Sequence, residues 1–181
     1  MTTTLPTSPL AGTYRIDPDH SSAAFAVRHM GVSMFRGSFA GMAGTVTAGD
    51  SVRIAGAVPV AGLSVKSPVD LRTHLMSPEF FSADLHPEIR FSGDHVALRA
   101  DGSAVVAGDL TIRNVTRGVV ASGTWSPAVE DPFGATRAAI ELATTIDRRD
   151  FGMTWNVPLP KGGDALGVDV EITAHLELIA S

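Results

Sequence analysis

Hydrophobic and polar positions alternate along most of the second half of the chain. Val168, Val170, Ile172, Ala174, Leu176 and Leu178 share one parity; Asp169, Glu171, Thr173, His175 and Glu177 share the other, until Ile179 breaks the polar row. A period of two sustained over that length predicts a long strand with one dry face and one wet face. Ile140, Leu142, Thr144 and Ile146 against Glu141, Thr145 and Asp147 predict a second such strand. Val106, Gly108, Leu110 and Ile112 against Asp109, Thr111 and Arg113 predict a third. In a fourth, Ile89 and Phe91 share a parity that Val96 and Leu98 do not, so the phase slips near Gly93, as a β-bulge would make it.

Weaker patterns predict strands at residues 13–17, 22–30, 35–48, 52–65 (interrupted near Pro59) and 115–125, with turns at Gly49-Asp50, Asp101-Gly102 and 128–134. Helical signals are short. Val69, Leu71, Arg72 and Leu75 suit one or two turns, and Ser77 before Pro78 reads as the cap of a second turn over 78–81. The chain therefore divides into a flexible leader rich in Thr, Ser and Pro (1–11) and one all-β domain (12–181). Strands this long need closure, because open edges template aggregation. Eight antiparallel strands close around an interior wide enough for one small ligand, as in lipocalins. The expected fold is a single antiparallel, lipocalin-like β-barrel of about eight strands with a short helical insertion. Glycines and alanines interleave with Val, Ile and Leu on the dry face, which leaves interior volume unfilled.

Composition narrows the function. Hydrophobic residues make up 44% and charged residues 18% of 181, which excludes a disordered chain. The absence of cysteine excludes disulfides, thiolate metal sites and cysteine nucleophiles. A net charge of −5 counts against a nucleic-acid face. No apolar run reaches the roughly 18 residues of a membrane-spanning helix. The first residues carry neither a basic cluster nor an apolar stretch, so the expectation is a cytoplasmic protein without a signal peptide.

Candidate chemistry is sparse. Six histidines (His20, His29, His74, His86, His95 and His175) form no close ligand pair, and neither a metal nor a cofactor is expected. His29 shares the parity of Phe25 and Val27 and should face the apolar side, to meet a polar ligand group or a backbone carbonyl. Asp17, Asp19 and His20 read as a turn in which an aspartate caps its own backbone. No G-x-S-x-G elbow is present, and Gly31, Gly37, Gly41 and Gly44 precede no helix, so they form no phosphate loop. In residues 146–152, two arginines flanked by aspartates suit an ion-pair plug at a barrel end or a site for an anion. Phe80, Phe81, Phe91, Phe151 and Trp155 would roof a cavity or pack a core.

Read together, these segments resemble the YceI-like family of polyisoprenoid-binding, lipocalin-like proteins. The resemblance runs from about Gly12 to Ile179. It rests on Tyr14-Arg15-Ile16-Asp17 with His20-Ser21, then Phe25-Ala26-Val27-Arg28-His29-Met30-Gly31, and Gly37-Ser38-Phe39. His74-Leu75-Met76-Ser77-Pro78-Glu79-Phe80-Phe81 and Pro87-Glu88-Ile89-Arg90-Phe91 follow. Residues 108–116 and 146–152 complete it. Three places depart from the family pattern: Leu71 and Arg72 stand where an Arg-Asp pair is usual, Asn114 where glycine is common, and Asp147 where asparagine is. The resemblance implies a barrel holding a long isoprenoid chain, a polyprenyl phosphate or an isoprenoid quinone, without catalysis. Strand parity selects Phe25, Val27, Ile54, Val58, Phe91, Leu110, Ile112, Ile140, Leu142 and Ile146 as its lining, with His29 at the polar end of the ligand and Trp155 closing a mouth. The alternatives are a lipid-acting enzyme using His20, His29 or His74 with a neighbouring carboxylate, and a filled barrel with a structural role. A homodimer agrees with the resemblance, although no segment marks an interface.

Overall fold

A computed structural model describes residues 10–181. Ten antiparallel strands appear in chain order: β1 (Gly12–Ile16), β2 (Ser22–His29), β3 (Ser33–Phe39), β4 (Ala43–Ala48), β5 (Val52–Pro59), β6 (Glu88–Leu98), β7 (Ser103–Ile112), β8 (Val115–Glu130), β9 (Thr136–Asp147) and β10 (Leu166–Ala180). One helix, α1 (Val69–Met76), lies in the β5–β6 connection. Each strand pairs with its sequence neighbour from β4 to β10, and β10 returns to pair β1, which pairs β4. That ring is a closed eight-strand antiparallel barrel, as the alternation of polar and apolar residues led us to expect.

The remaining two strands lengthen two staves of that ring. β10 pairs β1 through Ile179 and its neighbours and β2 through residues 166–175, so β1 and β2 lie end to end along one partner. β3 pairs β2 as β4 pairs β1. The strand expected at 35–48 is therefore broken at residues 40–42, where Gly41 adopts φ +80°. The strand expected at 52–65 ends at Pro59, which cannot donate to a ladder, and a 3-10 turn (Val60–Gly62) follows. The phase slip near Gly93 is real: the β6–β7 register shifts between Gly93 and His95.

Two further expectations change. Residues 78–81 form turns rather than a second helical turn; the amides of Phe80 and Ser82 both donate to the Ser77 carbonyl, which folds the chain back instead of extending it. Of the expected leader, residues 1–9 lie outside the described residues, while Leu10 at its end is buried in the core.

The meander puts unlike structures at the two ends. One end carries the β4–β5, β6–β7 and β8–β9 turns and is packed solid by Leu10, Val46, Leu98, Trp125, Ile140 and Leu178. Trp125 donates its indole N–H to the Arg99 carbonyl at 2.8 Å, so its polar atom is satisfied in that plug. The other end carries the β2–β3 and β7–β8 turns and both long connections, 60–87 and 148–165. No helix among the described residues is long and apolar enough to cross a membrane.

Candidate functional site

Above the packed end the barrel is hollow. A cavity of about 470 Å³ runs through it, within the roughly 300–1,000 Å³ of small-molecule sites. On β10 its wall extends from Leu166 to Leu176, about 33 Å of strand at roughly 3.3 Å per residue. Its walls are almost wholly apolar because the even positions of β10 and their counterparts on β5–β9 face inward. Among the inward residues, Phe91 lies across the facing glycines Gly93 and Gly108; a Cβ on either would come within 2.9 Å of its ring. Phe25 covers Gly37 in the same way. Small residues thus seat the large rings flat against the wall and keep the lumen open.

Phe25, Val27, Ile54, Val58, Phe91, Leu110, Ile112, Leu142 and Ile146 all lie on the wall, with His29 and Trp155. Ile140 does not. It pairs with Trp125 one step nearer the packed end than Leu142, below the cavity floor, and is 1% exposed. Phe80 and Phe81 also reach the wall, whereas Phe151 is buried beside it. His29 faces the cavity at its mouth and is solvent-exposed.

Several wall residues lie outside the strand alternation because they come from the connections. α1 supplies Leu71, His74 and Leu75; the irregular strap after the 3-10 turn (Arg148–Phe151), within the β9–β10 connection, supplies Met153 and Trp155. His74 meets the Trp155 and Phe80 rings edge-on at centroid distances of 4.7 and 4.9 Å and bonds Glu79 through Nε2 at 2.6 Å. Helix and strap therefore close on each other across one side of the lumen. Arg72, where the family pattern differs, donates to the carbonyls of Ala61, Leu63 and Val65 and fastens α1 to the 3-10 turn.

The arginine pair of residues 146–152 divides its labour. Arg149 grips Asp147 at the surface, and that pairing holds the Asp147 carboxyl at about 2. Arg148 turns inward, is 3% exposed, and donates to the carbonyls of Met153, Trp155, Leu166 and Gly167. Burial lowers its pKa, and no carboxylate among the described residues pairs with it. The expected ion-pair plug is thus half right in composition, but the buried arginine clasps backbone rather than aspartate. At the other departures, Asn114 follows Arg113 in a left-handed turn (φ +61° and +52°), and Asp147 caps the 3-10 turn (Arg148–Phe151) by accepting from the Arg149 amide.

Asp17 and His20 lie on the outside of the barrel. Asp17 caps Asp19 at 3.1 Å, bonds His20 Nδ1 and Arg137 at 2.9 Å each, and is itself buried. The His20 and Arg137 bonds hold its carboxyl at about 2, and the same bond to Asp17 raises the pKa of His20. Glu177 completes a group whose oxygens could approach a cation, but the Arg137 guanidinium already occupies that place.

No buried side-chain nitrogen or oxygen among the described residues lacks a partner. Thr144, on the wall, donates to the Val120 carbonyl, and Arg148 is fully engaged. The lumen therefore presents mostly hydrocarbon, with His29 at the mouth.

Comparison with known proteins agrees. The YceI-like domain matches residues 14–178. A UPF0312 protein of Pseudomonas putida (strain W619) is 30% identical over 158 residues, covering 80% of this chain and 78% of that protein. One from Photorhabdus laumondii is 30% identical over 152 residues, covering 80% and 77%. Among solved structures, Burkholderia cenocepacia BcnA superposes with a TM-score of 0.69 at 19% identity, over 92% of this chain and 99% of that one. A polyisoprenoid binding domain from Saccharophagus degradans, implicated in plant cell wall breakdown, superposes with a TM-score of 0.66 at 12% identity, over 93% and 98%. The barrel, its helical insertion and these matches lead to one assignment: the chain belongs to the YceI-like family.

Proposed function

We propose that the chain is a carrier or sequestering protein that holds an isoprenoid chain, a polyprenyl phosphate or an isoprenoid quinone, inside the barrel without altering it covalently. The observation that carries this reading is the long, almost wholly apolar cavity. Each methylene transferred from water to such a wall contributes about 0.8 kcal/mol, so a branched hydrocarbon gains affinity without polar contacts. A ligand's charged or quinone end has no partner at depth and belongs at the mouth, beside His29. The name of the Saccharophagus degradans neighbour supports the same class of ligand.

The test is uptake of dispersed polyprenyl phosphate or quinone analogues by the native chain and by Ala121→Trp, which puts a large ring on the wall near the floor. Uptake by the native chain and its loss in a folded Ala121→Trp support the reading. Equal uptake by both, or none by the native chain, contradicts it.

One observation favours a second reading. His74 faces the cavity with Glu79 behind it, the arrangement of a base and its orienting carboxylate. If the chain acts on its lipid, His74→Ala abolishes turnover; in a carrier it changes retention only modestly.

A further inference from the structure

The open end carries apolar side chains that stand exposed to solvent. The β2–β3 turn presents Met30 at 42% and Val32 at 83% exposure. Met30 sits at φ +53°, a left-handed conformation that bulky side chains avoid, followed by Gly31 at +70°. Beside it stands a small hairpin at residues 157–165, closed by bonds between Leu159 and Gly163 and from Ala165 to Val157. The Met30 amide donates to the Ala165 carbonyl at 2.7 Å, so the two projections are neighbours. Val157 is 47% exposed, and the tip reads Val157-Pro158-Leu159-Pro160-Lys161. Both projections flank the mouth, because His29, Met30, Ala165 and Leu166 all line the cavity.

The charge around them differs from that of the chain. Residues 22–38 and 153–168 together hold three cations, Arg28, Arg36 and Lys161, and one carboxylate, Asp164. All three cations are exposed and none belongs to an ion pair among the described residues. In a chain of net charge −5, these two segments carry net +2, while the remaining connections at the open end, 60–87 and 148–152, mix acids and bases. The far end mixes its charges: Asp50, Asp101, Glu130 and Asp131 stand with Arg53, Arg99 and Arg137, and Arg137 pairs with Asp131.

We propose that this rim docks on the surface of an anionic lipid bilayer, with the β2–β3 turn and the 157–165 hairpin entering the interface. Apolar tips flanked by exposed cations are what the headgroup boundary of such a bilayer accepts. The proposal rests on the reading of the cavity as a lipid site, since docking there sets the mouth against the membrane from which a chain would enter.

The experiment measures sedimentation of the full chain with vesicles of phosphatidylcholine and phosphatidylglycerol, and with phosphatidylcholine alone. The variants are the double substitution Val32→Asp with Val157→Asp, and Lys161→Glu, all at exposed positions. Uptake of a short-chain prenyl phosphate from solution is measured separately, without vesicles. The native chain is expected to pellet with the mixed vesicles, less so with phosphatidylcholine alone and less at high salt. The double variant is expected to bind the mixed vesicles about tenfold more weakly, and Lys161→Glu severalfold more weakly, while both still take up the prenyl phosphate. No binding by the native chain, or equal binding by the double variant, overturns the docking surface. So does a native dimer in sedimentation velocity that Val32→Asp dissociates, which assigns the rim to a second copy. Vesicle binding with no prenyl uptake keeps the docking surface and removes the carrier reading.

Discussion

Asp17 shows how one buried carboxylate ties distant segments together: its oxygens hold the 17–21 turn, and through Arg137 they reach β9 and Glu177 on β10. Its folded pKa of about 2 lies below the ordinary 3.8, so its contribution is full above about pH 4 and is lost as pH falls toward 2. That contribution is about 1–2 kcal/mol, because the partners His20 and Arg137 are partly solvated. His20 runs the opposite way: raised above 6.5, it adds stability that is present below that pH and fades as pH rises past its folded value. Asp17→Asn is expected to lower stability at pH 6 and to flatten the acid limb between pH 4 and 2, checked by urea unfolding across that range. An unchanged acid limb would show that other carboxylates govern it. Arg148 is a second such residue. Arg148→Met leaves the carbonyls of Met153, Trp155, Leu166 and Gly167 without their donor, at a cost of about 3 kcal/mol or more. Arg148→Lys is not expected to rescue it, since one ammonium cannot span carbonyls on two segments. Trp155 fluorescence during denaturation reports the outcome. Neither role was legible in the sequence: an Arg-Arg pair between aspartates reads as ion pairing, and only the fold sends one guanidinium inward.

The long strands were legible because each has one face in the core and one in water, and period two survives bulges as a phase slip. Their ends were less so. Residues 35–48 lack a turn signal stronger than Gly41, yet the chain kinks there to stagger β3 past β4. The second helical turn failed for a similar local reason, the Ser77 carbonyl capturing both the Phe80 and Ser82 amides. Parity put every strand residue it selected except Ile140 on the cavity wall, because parity reports which face is inward and not how deep the barrel is filled. Beyond the short helical spacing of α1 the connections carry no period, so Met153 on the wall and the clasp of Arg72 were not legible, and His74 entered only as one candidate histidine among three. At the same scale, Gly93 and Gly108 face each other under Phe91. Gly108→Val has no room for its side chain between the β6 backbone and that ring, and is expected to destabilise by 2 kcal/mol or more. Thermal unfolding checks it; a stable Gly108→Val with an unmoved Phe91 would contradict the packing described.

Across the whole molecule, one end is packed with side chains and the other is left open. A hollow of this size forfeits dispersion contacts along its wall, which an apolar occupant restores. Ligand binding to the folded state alone adds about 2.7 kcal/mol at a hundredfold excess over Kd. In a domain of this length that corresponds to a rise in Tm of roughly 5–10 °C. Scanning calorimetry with and without a prenyl lipid checks it, and an unmoved Tm at saturation would oppose ligand binding in the cavity. The most direct test of a barrel built to hold hydrocarbon is native mass spectrometry of the chain purified gently from its own host, with organic extraction of whatever is released. The expected result is a stoichiometric mass increment that extraction identifies as an isoprenoid lipid and that Ala121→Trp lacks. Repeated recovery of bare chain, which then takes up neither polyprenyl phosphate nor quinone, would contradict the account.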